Sequence, residues 1–169
     1  MSFKDVFNKV NTVKAIFFLL IPLILILIEN GFRISISDYV YSEKPFVRDV
    51  YVLLVSASGV LFIDSGIVNK KWYNIVLGIF LLGISLTPHR DYKFFHYLFS
   101  VLFFEGSCFA IVFFSSKKQR LCMWLISVSV NIPLLLYLIF NNISLLITEW
   151  VAMIPLSIHF IGETNNKIQ

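Results

Sequence analysis

Six runs of mostly apolar residues alternate along the chain with short polar segments. A bilayer core is about 30 Å thick and takes roughly 20 residues of helix to cross. By that measure the pattern predicts six spanning helices, over about residues 13–28, 49–66, 72–87, 94–115, 121–140 and 143–161. The last two come out of one stretch, because residues 121–148 hold no charge. Drawn as one helix, 121–162 would reach about 63 Å at 1.5 Å per residue, twice the hydrocarbon thickness. The run must fold back, and Asn141-Asn142-Ile143-Ser144 is the predicted turn. Span 1 is short between Lys14 and Glu29; Lys14 extends it by reaching to the interface, and Pro22 is expected to bend it. The fold class is therefore all-α, a polytopic transmembrane bundle in a single integral membrane domain covering residues 1–169. The lysine-then-apolar start resembles a signal peptide. Its apolar core runs into Glu29-Asn30-Gly31-Phe32-Arg33 with no small-x-small site, which predicts an uncleaved first span.

Composition supports that pattern. Of 169 residues, 58% are hydrophobic and 14% charged, and the mean hydropathy is +0.83. Soluble domains are about 45–50% apolar and about 25% charged. So much apolar surface exceeds what a soluble fold of this size can bury, and the excess is expected to face lipid. The net charge of +4 does not indicate nucleic acid, because Lys and Arg fall in short clusters between apolar runs. Their distribution sets orientation instead. With the N-terminus inside, the inner segments hold Lys4, Lys9, Lys14, Lys70, Lys71, Lys117, Lys118, Arg120 and Lys167. The outer ones hold Arg33, Lys44, Arg48, Arg90 and Lys93. Both termini are predicted to be cytoplasmic. Trp72, Tyr73 and Trp150 suit interfacial positions. Cys108 and Cys122 are expected to be small buried hydrophobes.

The candidate chemistry lies in the few polar residues of the spans. An ionisable group at mid-bilayer costs about 2.5–3.5 kcal/mol on insertion scales, which makes each one a functional candidate. Glu105 is the one charge between Lys93 and Lys117. It is expected to face the bundle interior, near Asn131, midway along the next span. Its role is either a polar packing contact or part of a proton, ion or ligand site. At the outer side, Glu29, Asp49, His89, His96 and Glu149 are candidates for convergence, with His89 and His96 on one face if their helix begins near Pro88. The spacing matches no metal motif, and no metal or cofactor is expected; ion pairs with Arg33, Arg48 and Arg90 are the expected arrangement. If Asp49 closes such a network, Asp49→Asn should destabilise more than Asp38→Asn, taken as a change in an exposed loop. Asp64 either caps the inner loop beside Lys70 and Lys71 or pairs with His159. Binding candidates are thus Arg48, Asp49, His96, Glu105, Asn131 and Glu149. No phosphate loop, nucleophile elbow or Cys-x-x-Cys is present, and Arg90 with His96 is a weak nuclease-like pair.

The stretches ISISDYVYSEKPFVRDVYV, GVLFIDSG, NIVLGIFLLGISLTPH and FHYLFSVLFF resemble a family of uncharacterised bacterial multi-span proteins, grouped loosely with the DRAM-like six-span proteins. Ser35, Ser37, Tyr39, Tyr41, Arg48, Asp49, Gly78, Pro88 and His96 fall on its pattern, which covers about residues 34–104. Phe80, Leu82 and Thr87 depart from it, and Glu105 has no counterpart. The resemblance implies six spans, a bacterial inner-membrane location and an outer-facing site around Arg48, Asp49 and His96. It implies no reaction. The CREST hydrolases are a more distant comparison, with a seventh span and an HxxxH that this chain lacks.

Three functional classes follow. The first is a non-enzymatic sensor, regulator or accessory subunit acting on a membrane partner or on the lipid bilayer. The second is a small homo-oligomeric channel or transporter using Glu105 and Asn131. The third is a metal-assisted lipid hydrolase with a His/carboxylate site at the outer leaflet.

Overall fold

The computed structural model describes residues 3–114, 116–140 and 144–164, and there the chain is helical with no strand. Six α-helices follow in order: α1 (Phe3–Glu29), α2 (Pro45–Val68), α3 (Trp72–Leu86), α4 (Lys93–Phe113), α5 (Arg120–Phe140) and α6 (Leu145–Thr164). Short 3-10 turns occupy Ser37–Tyr41 and Lys117–Gln119. Each predicted span coincides with one helix. The predicted turn at 141–144 falls, except for Ser144, outside the described residues.

Helix ends follow from local chemistry. α2 opens with Pro45 in its first turn, where a missing N–H breaks no bond. α1 and α2 both close in a left-handed residue, Asn30 (φ 59°) and Lys70 (φ 55°). Past each, the chain bonds back to the helix: Gly31 N–H to the Ile26 carbonyl (3.3 Å) and Lys71 N–H to the Gly66 carbonyl (2.8 Å). These are Schellman closures, in which glycine is the unstrained choice. Lys70→Gly is therefore expected to stabilise the α2–α3 hairpin by about 1 kcal/mol, read as a higher unfolding midpoint in detergent. An unchanged or lower midpoint would count against the closure.

The chain forms two compact units, divided after Leu19 and after Ser107. One holds the end of α1, the first loop, α2, α3 and most of α4. Its centre is the antiparallel α2–α3 hairpin, which has a single register. The Ser56 and Ser85 hydroxyls share a 2.9 Å hydrogen bond. Gly59 then faces Leu82 and the Gly78 carbonyl, Ile63 faces Gly78, and Gly66 faces Ile75. The contact positions step by three and four along both helices, the spacing of a left-handed helix pair. Glycine is required where backbones touch: a Cβ on Gly78 would lie 2.5 Å from the Gly59 carbonyl oxygen. α4 packs Phe103 edge-on against Phe62 and Phe99 against Gly83.

The other unit holds the first part of α1, the last turns of α4, α5 and α6. α5 and α6 pack together around fully buried Met123, Val130, Leu146 and Leu156. The Trp150 indole N–H donates to the Leu19 carbonyl (3.0 Å), fixing α6 to α1. Asn131 donates to the Ser127 carbonyl (3.1 Å) and to the Cys108 sulfur (3.4 Å), tying α5 to the end of α4.

Two sequence expectations fail on helix phase. Glu105 is exposed. The buried side of α4 carries Phe103, Ser107, Ala110 and Ile111, and Glu105 is two residues, about 200°, from Phe103. Cys108 is buried as expected, but Cys122 is exposed, one residue short of buried Met123 on α5.

Candidate functional site around Asp38

The densest polar cluster lies in the first unit, where the loop after α1 meets the loop between α3 and α4. The loop after α1 folds on its own short polar residues. The Ser35 hydroxyl accepts the Asp38 N–H (3.1 Å) and hydrogen-bonds the Ser37 hydroxyl (3.1 Å). This starts the turn Ser37–Tyr41, which packs on α2. Tyr39 is fully buried and donates its hydroxyl to the Gly31 carbonyl (3.1 Å). Glu29, the last residue of α1, gathers the loop. It accepts from the Arg33 guanidinium four residues on and from the Ser42 hydroxyl (2.6 Å), while the Lys44 ammonium donates to its carbonyl.

Asp38 is the hub. Its side chain is 6% exposed, and Arg90 Nη2 donates to Oδ1 at 2.8 Å. Arg33 lies 3.8 Å from Oδ2, and His89 Nε2 lies 3.7 Å from Oδ1. Arg90 also stacks on the Tyr41 ring, 4.3 Å from its centroid, a cation–π contact. The Tyr41 hydroxyl accepts the Arg90 backbone N–H (2.7 Å) and donates to Asp91 (3.3 Å). Two loops some fifty residues apart in sequence are thus clipped together twice, by Asp38–Arg90 and by Tyr41–Arg90–Asp91. Burial pushes the Tyr39 and Tyr41 hydroxyls above their ordinary range, so both stay neutral donors at physiological pH.

Two histidines line the α3–α4 side. His96 is buried and its Nδ1 sits 2.7 Å from the Thr87 carbonyl, so that nitrogen carries the proton. Its ring lies 5.8 Å from that of His89, and His89 meets the Tyr41 ring edge-on at 5.1 Å. The His89 Nδ1 is buried with no hydrogen-bond partner among the described residues. The condition for the two histidines to share a helix face, a start near Pro88, is not met: residues 88–92 form a turn on the Pro88 carbonyl and α4 starts at Lys93, close to the expected start at about residue 94. His89 therefore reaches His96 from a loop.

Burial holds the His89 imidazole below its usual 6.5; the Arg90 charge adds to this, and the Asp38 and Asp91 carboxylates work against it. The unfolded chain then takes up this proton first as pH falls, so the His89 contribution to stability is complete above about pH 6.5 and is lost below it. The unfolding midpoint is expected to drop between about pH 7.5 and 5.5, and His89→Phe, which keeps a ring against Tyr41, should flatten part of that drop. Parallel profiles for the two proteins would remove His89 from the account.

Of the sequence-derived candidates, the structure brings His89 and His96 together beside Asp38, with Glu29 anchoring the same loop. It does not bring in Arg48 or Asp49. Both are exposed on the first turn of α2 and make no ion pair among the described residues, because the buried residue of that turn is Val47. The expected ranking of Asp49 over Asp38 is reversed: Asp38 is the buried, multiply paired acid. Glu149 is half-buried on α6, in the other unit. Asn131 is engaged with Ser127 and Cys108 in one unit, and Glu105, in the other, is exposed rather than turned inward as expected. Asp64 is exposed and His159 buried. The residue sequence reasoning missed is Asp38, which it took for an exposed-loop acid; Arg90 was expected to form ion pairs and Tyr41 lay on the resemblance pattern, but neither was linked to Asp38. The signal for Asp38 was present in SISDYVY, where short hydrogen-bonding residues alternate with aromatics that a solvated loop does not need. Among the described residues, no three His, Cys, Asp or Glu side chains are grouped to hold a metal ion.

Fold and site together define a protein that is helical over its described residues, with the loop after α1 and the α3–α4 loop locked together by a charge cluster. Three of its helical segments, Pro45–Val68, Lys93–Phe113 and Lys117–Tyr137, are long and apolar enough to cross a membrane. The chain belongs to the Family of unknown function (DUF7103), whose pattern matches residues 20–164. No curated protein and no solved structure matches it.

Proposed function

We propose that this chain is a six-span protein of the bacterial inner membrane with both termini in the cytoplasm. It acts there as a non-enzymatic sensor, regulator or accessory subunit, on a membrane partner or on the bilayer. Beyond the three long helices, the shorter apolar segments Ile16–Glu29, Trp72–Leu86 and Leu145–His159 supply the other crossings. Large outward side chains such as Leu27, Leu53, Ile79, Leu125 and Ile139 suit a hydrocarbon solvent. The bacterial location and the kinship with DRAM-like proteins come from the resemblance over residues 34–104.

One observation carries the functional reading. The acids and cations of the outer cluster are satisfied by one another and by backbone groups, with Asp38 spent on holding two loops together. Such a closed network fixes the shape of an outer surface, which is what a docking or sensing element requires, and a catalytic site instead leaves a reacting group facing substrate. The test has two parts. Reporter fusions at Asn69, Lys117 and the C-terminus should read cytoplasmic, and fusions at Glu43 and Asp91 periplasmic. Cross-linking in intact membranes should then capture a defined protein. Fusions that place Glu43 and Asn69 on one side would end the six-span reading.

A further inference from the structure

The entry into α5 carries Lys117, Lys118 and Arg120, three cations in four residues. All three are exposed, and among the described residues none has an ion-pair partner. Residues 106–148 hold no acid, so nothing in this stretch of sequence offsets the three charges. The start of α5 follows with large exposed apolar groups, Leu121 at 75%, Trp124 at 51% and Leu125 at 64%. Their spacing, i, i+3 and i+4, puts them on one helix face, while Met123 and Val130 are buried in the packing with α6. Trp124 lies four residues past Arg120, about 6 Å along the helix at 1.5 Å per residue. The polar layer of a bilayer is about 5–8 Å deep on each side, and indoles favour that level.

We infer that this segment binds anionic phospholipid, with headgroup phosphates against Lys117, Lys118 and Arg120 and acyl chains along Leu121 and Leu125. Charge complementarity selects an anion, because the three cations have no counter-charge of their own. The apolar groups beside them select a lipid over an acidic protein. A protein surface rich in carboxylates matches the cations but leaves Leu121 and Leu125 against charge, whereas a phospholipid offers charge and hydrocarbon in the order the helix presents them. The absence of acids is part of the argument. Orientation by Lys and Arg counts is nearly indifferent to Asp and Glu, so topology alone does not require an acid-free segment. Each Lys or Arg held near an anionic leaflet contributes about fivefold to binding. The inference rests on the membrane placement proposed above and names the part of the bilayer that the chain recognises.

The experiment is quenching of tryptophan fluorescence in the full chain, reconstituted into vesicles of equal parts phosphatidylglycerol and phosphatidylcholine. Bromine is placed on the acyl chains of one lipid or of the other. The share of quenching that Trp124→Phe removes belongs to Trp124. Brominated phosphatidylglycerol should supply that share with a preference of roughly fivefold or more over brominated phosphatidylcholine. Replacing Lys117, Lys118 and Arg120 together by Gln should bring the two lipids to parity. Lys93→Gln, an exposed cation of the other unit, should leave the preference intact. Salt at 1 M should shrink the preference of the unmodified chain, which tests the charge without any substitution. A photo-cross-linker at Leu121 should label phospholipid in native membranes. Equal quenching by both lipids, a preference that survives the triple replacement or high salt, or a soluble protein captured at Leu121 would each overturn the headgroup site. Reporter fusions that still read six spans would then show that this site alone had failed, and quenching by neither lipid would end the membrane placement with it.

Discussion

Asp38→Asn lowers the stability of the detergent-solubilised protein by about 2 kcal/mol, and Asp49→Asn changes it by less than about 0.5 kcal/mol. The first number follows from what Asp38 touches. Its side chain is 6% exposed and faces Arg33, Arg90 and His89. Removing one partner of a fully buried pair costs about 3–5 kcal/mol, because the remaining charge is left without compensation. Arg90 is 55% exposed, so its guanidinium turns partly to water and the loss is smaller. The asparagine still accepts one hydrogen bond, but its NH2 group faces cations. The second number follows from exposure: Asp49 is exposed and has no ion pair among the described residues to lose. Unfolding monitored by tryptophan fluorescence in one detergent gives both values. Equal midpoints for the two variants would show that the Asp38 cluster does not hold the loops.

Gly78→Ala is the second large effect, a loss of about 2 kcal/mol, while Gly106→Ala is near neutral. At Gly78 the new methyl would sit 2.5 Å from the Gly59 carbonyl oxygen and 3.0 Å from the Ile63 nitrogen. Both are backbone atoms of α2, so relief requires the two helices to separate along their whole register. Overpacking of this kind costs about 1–3 kcal/mol, and a rigid backbone obstacle places it at or above the upper end. The gain in helix propensity, about 1 kcal/mol for Gly to Ala, offsets part of it. At Gly106 the nearest atom is Leu77 Cδ2 at 3.1 Å, the far end of a flexible side chain. A small rotation clears it, and the propensity gain covers the difference. A Gly78→Ala protein as stable as Gly106→Ala would mean that α2 and α3 are not in backbone contact at that level.

Helix number and placement were legible in the residue pattern, since both depend on the length of apolar runs and on the charges between them. All six expected spans lie within or overlap an observed helix. The resemblance also pointed at residues with structural contacts: Ser35, Ser37, Tyr39 and Tyr41 lie in or beside the turn after α1, Gly78 lies at the hairpin contact, and His96 anchors on Thr87. Arg48 and Asp49 matched the same pattern and stand outside the cluster. Pattern membership marked the region without ranking the residues in it.

The chain alone determined that this protein is helical, how many helices it has and where polar loops break them, because these are local consequences of composition along the backbone. Only the tertiary structure decided which side of each helix points inward. One residue of phase moves a side chain by about 100°, and the positions of neighbouring helices fix that phase, so Glu105 and Cys122 face out while Ser107 and Cys108 face in. It also decided which acid is buried, since Asp38 meets Arg90 across 52 residues of sequence. A contact at that separation is created by the packing of α2, α3 and α4, and leaves no periodic trace in the loops it joins.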